Sequence, residues 1–97
     1  MDANDAVDVR EVCRRWGPVL ERFFEDHDLS VSERAGAPTQ DEVIAAADDA
    51  RDPLERIEAS QREGGTADGI AGILDDPATM RKLEQALVRI RAWSAQD

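Results

Sequence analysis

Several residue types that commonly carry chemistry are nearly missing from this chain. It holds one cysteine, Cys13, one lysine, Lys82, one histidine, His27, and no tyrosine. A single cysteine excludes an internal disulfide and any metal site built from several thiolates. A single histidine leaves no multi-histidine metal site. A Cys–His pair would need the two groups within hydrogen-bond reach. Cys13 and His27 fall far apart along one predicted helix, so His27 reads as a structural or helix-capping residue and Cys13 as a small packing hydrophobe. No apolar run approaches the ~18 residues needed to cross a bilayer, so no membrane contact is expected. The acidic opening MDANDAVDV has no apolar stretch of the kind that makes a signal peptide, and a reducing cytoplasm is the expected setting.

Positive charge is also scarce. Twelve basic residues face 22 acidic ones, giving a formal charge of −10. Direct binding to nucleic acid or to an anionic membrane depends on basic patches, so neither is expected. Aromatic residues are limited to Trp16, Phe23, Phe24 and Trp93, while alanine supplies much of the apolar content. That composition suits a modest core between closely packed helices.

What is present is helical periodicity. Val9, Val12, Cys13, Trp16, Leu20, Phe23 and Phe24 recur at the spacing of one helical face, and the phase carries across Gly17-Pro18. An interior proline costs about 3 kcal/mol, but burying each large side chain of this stripe contributes roughly 1.5–3 kcal/mol. The expectation is one long helix from about Ala6 to Asp26, kinked at Gly17-Pro18. TQDE has the form of a capping box on Thr39 and Glu42, opening a helix with Val43, Ile44, Ala47 and Ala50 inward. RDPLE predicts another start, with Asp52 as N-cap and Pro53 at the first helical position. Gly64 and Gly65 read as a C-cap. Thr66 could cap a short turn carrying Ile70, Ile73 and Leu74. DDPATM repeats the Asp-Pro start before a last helix from about Pro77 to Trp93. The fold class is therefore all-α, a small bundle of about four helices in a single domain spanning 1–97. Residues 1–5 are expected to be a frayed lead-in, and 28–38 and 63–76 the main connections.

No motif specifies a catalytic, cofactor-binding or metal site. Asp26, Asp28 and Ser30 occupy calcium-loop spacing, but Val31 stands where that loop needs glycine and Ala37 where it needs a bidentate glutamate. Gly64, Gly65, Gly69 and Gly72 lack the Lys-Ser/Thr and the preceding strand of a phosphate loop. ILDDPATMRKLEQAL, residues 73–87, resembles the Asp-Pro helical repeats of co-chaperones. Its parts are ordinary capping chemistry, and membership does not follow from them.

The last helix carries a stripe of Met80, Leu83, Leu87, Ile90 and Trp93, with heptad-like spacing. These five are the interface candidates, since such a stripe can complete a small core by pairing with a partner or a second copy. Val88 stands alone on the other side. The same helix holds Arg81, Lys82, Arg89 and Arg91 against the single acid Glu84. The expected function is a non-catalytic protein–protein interaction module, a small acidic regulatory or adaptor subunit that binds a protein partner, forms a homodimer, or both. The alternative is an acidic nucleic-acid mimic, antitoxin-like, that blocks a basic site. A helix-turn-helix regulator ranks lower, because exposed positive charge is confined to one helix.

Overall fold

The computed structural model describes residues 8–32, 34, 36–63 and 68–96. Five helices lie among them: α1 (Val9–Asp26), α2 (Gln40–Asp49), α3 (Arg51–Arg62), α4 (Asp68–Leu74) and α5 (Pro77–Gln96). The all-α bundle is as expected, with one helix more than the four counted from sequence.

α1 opens at Val9, where the Asp8 carboxylate accepts the Arg10 amide at 3.0 Å and caps the first turn. The predicted beginning at Ala6 lies outside the described residues. The helix runs on through Gly17 and Pro18, with Pro18 exposed and Val9, Val12, Trp16, Val19, Leu20, Phe23 and Phe24 buried. The continuity across Gly-Pro is thus found; the kink expected there is not confirmed. α1 ends in a Schellman motif. The Leu29 amide donates to the Phe24 carbonyl at 2.8 Å, and the Asp28 amide to the Glu25 carbonyl at 3.1 Å. Asp28 takes the left-handed conformation that such a motif requires, at φ 55°. The apparent calcium-loop carboxylates are therefore helix-terminating chemistry, with Asp26 paired to Arg22 at 3.5 Å.

The connection to α2 is held down rather than loose. Leu29 and Val31 pack against the core. The Ser32 amide and hydroxyl both donate to Oε2 of Glu84, at 2.7 and 3.1 Å. Thr39 and Glu42 form the expected capping box, with bonds of 2.8 and 3.2 Å. α2 and α3 are nearly continuous, since Ala50 ends one and begins the other without a side-chain cap. The predicted cap at Asp52 is corrected by this. α3 starts two residues earlier than expected, with Pro53 inside its first turn, where amides have no intrahelical acceptor and a missing N–H costs nothing. The proposed caps at Gly64, Gly65 and Thr66 lie outside the described residues. α4 buries Ile70 and Ile73, whereas Leu74 is exposed.

α5 is the central element. Its start is fixed by Asp76, whose carboxylate accepts the Ala78 amide at 3.2 Å and the Thr79 hydroxyl at 2.7 Å. It runs to Gln96, three residues past the expected end, and packs against all four other helices, most extensively α2. Leu83, Ala86, Leu87, Val88 and Ile90 are buried, so its middle is covered on nearly every side. Val88, on the other side of the helix, is buried as well but lies outside the core cluster that Leu83, Ala86, Leu87 and Ile90 join. α1 and α5 run antiparallel: a methyl built on Gly17 would lie 3.5 Å from Cγ2 of Ile90, and Cys13 and Ser94 line one notch.

Candidate functional site

The interface candidates separate into two groups. Leu83 and Leu87 are fully buried and Ile90 is 4% exposed, so these three pack inside the chain's own core. Met80 and Trp93 are half-buried and pack against that core from its edge. They stand at opposite ends of the α1–α5 seam, about 20 Å apart along α5 at the helical rise per residue.

Each end carries a notch of about 290 Å³. At the Met80 end, Phe24, Leu29, Pro77 and Met80 form an apolar floor, with Arg81 and Glu84 beside it. The rim charges oppose one another there, and Glu84 already accepts from Ser32. At the Trp93 end the lining, among the described residues, is Arg10, Cys13, Arg14, Trp93 and Ser94, with no carboxylate among them. Burial pushes the Cys13 thiol up, with the Ser94 hydrogen bond acting in the opposite direction. A thiol held protonated is a poor nucleophile, consistent with a packing role.

His27 is the C-cap of α1, exposed, with its ring 5.0 Å from that of Phe23. Along a straight α1 it lies about 21 Å from Cys13, which leaves no Cys–His pair. No group of histidine, cysteine and carboxylate side chains suited to a metal ion occurs among the described residues.

A groove of about 530 Å³ lies where α2 meets α3 and faces α4 and the start of α5. It sets Asp48, Asp49, Asp52 and Asp76 against Arg51, Arg56 and Lys82. The Thr79 hydroxyl bond above all, then the Ala78 and Thr79 amides and Lys82, hold the Asp76 carboxyl below its ordinary range. Much of the positive charge of α5 is likewise engaged locally. Arg91 donates from Nε and Nη2 to the two oxygens of Glu21 on α1, at 2.8 and 2.6 Å. Arg89 donates to the Gln85 carbonyl at 3.3 Å.

Sequence reasoning found Trp93 but missed Arg10 and Arg14. A signal was there, since two arginines one turn apart at a helix start run against helix electrostatics. Comparison with protein-family models, curated proteins and solved structures yields no match for this chain.

Proposed function

We propose that this protein is a non-catalytic protein–protein interaction module, a small acidic adaptor or regulatory subunit whose contacts lie at the ends of the α1–α5 seam. The observation that carries this reading is the partial exposure of Met80 and Trp93, each beside a notch, while the rest of their stripe is buried. Large apolar side chains at the rim of a packed core, next to arginine, are the residue types from which interface hot spots are made. Homodimerisation along the middle of the stripe has lost its motive, because Leu83, Leu87 and Ile90 already pack within one chain. The acidic-mimic reading asks for carboxylates ranked along one face without cations between them. In the groove where α2 meets α3, acids and bases alternate instead.

Affinity capture from the native host, with sedimentation of the isolated protein, tests the reading. A stoichiometric protein partner lost on Met80→Glu or Trp93→Glu is the expected result. Capture of nothing, or of a basic nucleic-acid-binding protein held only at low salt, would overturn it in favour of no partner or of the mimic.

A further inference from the structure

Resting on that reading, we infer that the notch between the start of α1 and the end of α5 is a docking site for an acidic peptide segment bearing one apolar side chain. Trp93 supplies the apolar contact, and the Arg10 and Arg14 guanidinium groups the charge.

Arg10 stands in the first turn of α1, where a cation is disfavoured, and Arg14 lies just beyond that turn, three residues after Glu11. Arg10 is the second residue of α1 and Arg14 follows one turn later on the same face. Cations at a helix N-terminus oppose its dipole, and like charges four residues apart repel. Neither side chain has an ion pair or hydrogen bond among the described residues, although the chain as a whole is strongly acidic. Other arginines of α1 are engaged: Arg15 with Glu58 at 3.4 Å and Arg22 with Asp26 at 3.5 Å. The pair, without an ion-pair partner among the described residues, flanks a notch of about 290 Å³ walled by half-buried Trp93 and Cys13, room for one apolar side chain rather than for a folded surface. A carboxylate-bearing segment would relieve both the mutual repulsion and the opposition to the dipole. Guanidinium groups bind carboxylates in bidentate fashion, which adds geometry to charge. The Met80 notch offers no such selection, because Glu84 stands beside Arg81.

The test is fluorescence anisotropy of labelled peptides titrated with the full chain. Three probes are used: a short run of aspartate and glutamate around one leucine, the same run around alanine, and the asparagine–glutamine version around leucine. The acidic leucine probe should bind at low salt and weaken as salt rises. Losing the leucine, or losing the acids, should each cost about tenfold in affinity. The Arg10→Gln/Arg14→Gln variant should lose a similar factor, and Arg22→Gln none. The doubly substituted protein should melt no lower than the parent, since it removes repulsion and an unfavourable dipole contact. Equal binding of the amide probe, retained binding by the double variant, or no binding of the acidic probe would overturn the site. Should the captured partner be retained fully by the Arg10/Arg14 variant, the site falls and the interaction module stands. Should wild type capture no partner, the broader reading falls, and the peptide titration decides the site by itself.

Discussion

Gly17 and Pro18 lie in the middle of α1, and both can be replaced to test how that helix is held. Gly17 is buried, and a Cβ there would meet Cγ2 of Ile90 at 3.5 Å, ordinary van der Waals contact. Glycine in a helix interior costs about 1 kcal/mol relative to alanine. Gly17→Ala should therefore stabilise the protein by about 1 kcal/mol, with a small addition from the new contact with Ile90. Scaled by about 2.1 cal/mol/K per residue, 1 kcal/mol raises the melting temperature by about 5 °C. Pro18→Ala should add to stability by a different route. It restores an amide to bond the Arg14 carbonyl and removes the ring from the helix, against an interior proline cost of about 3 kcal/mol. Two corrections reduce that figure. Proline stiffens the unfolded chain, which is worth roughly 0.4–1 kcal/mol, and Pro18 sits on an exposed face where water can reach the freed carbonyl. A net gain of about 1–2 kcal/mol remains. Urea unfolding followed by far-ultraviolet circular dichroism, at unchanged m-value, reads both effects. Destabilisation by Gly17→Ala of more than about 1 kcal/mol would mean that α1 and α5 cannot admit a methyl, and would refute the packing described here. Destabilisation by Pro18→Ala would mean that the proline holds α1 in a shape the core requires.

Asp28→Gly should stabilise by roughly 0.5–1 kcal/mol, because the left-handed position at the end of α1 then loses its Cβ penalty and a carboxylate leaves the negative end of the helix; an unchanged urea midpoint would contradict it. Leu54→Ala, at a fully buried site, should cost about 2–5 kcal/mol, and a loss under about 1 kcal/mol would show that α3 is not packed as described. Glu21 is held below the ordinary carboxylate range chiefly by its hydrogen bonds from Arg91, with burial opposing and charge attraction adding to them. Its folded pKa lies below its unfolded one, so its contribution is present above the ordinary carboxylate pKa and is lost as pH falls through the folded value. Because both partners are about half exposed, that contribution is only roughly 0.2–1 kcal/mol. Glu21→Gln should lower stability at neutral pH and leave it nearly unchanged at acid pH, checked by urea midpoints at the two; a parallel loss at both would refute the assignment.

Features that depend on nearby residues were legible in the sequence. The Thr39–Glu42 box, the Asp76 start and the phase of α1 through Pro18 each rest on neighbours within a turn or two, and each was found. The α3 start was misplaced because an Asp-Pro pair fits a first turn as well as a cap. The calcium spacing at Asp28 was set aside on Val31 and Ala37, but the Schellman ending there was not read, because it ordinarily signals itself by glycine. α4 was read as a short turn within the 63–76 connection, although Ile70 and Ile73 have core to pack on once α3 and α5 flank them.

The stripe on α5 shows where local reasoning stops. Spacing along a helix says that one face prefers to leave water; it does not say whether the covering surface comes from the same chain or another. Here the decision is made by closure between segments distant in sequence. α1 comes back antiparallel to α5, so Gly17 lies against Ile90, and α2, α3 and α4 occupy the remaining sides of α5. Leu83, Leu87 and Val88, near the middle, are enclosed from several directions. Met80 and Trp93 remain half open because each lies towards an end of α5, where neighbouring helices run out. The antiparallel return also brings the first turns of α1, with Arg10 and Arg14, beside Trp93. The surface left over for a partner is thus a product of topology: an aromatic edge from one end of the chain and a pair of arginines from the other, which no local pattern in either segment would have joined.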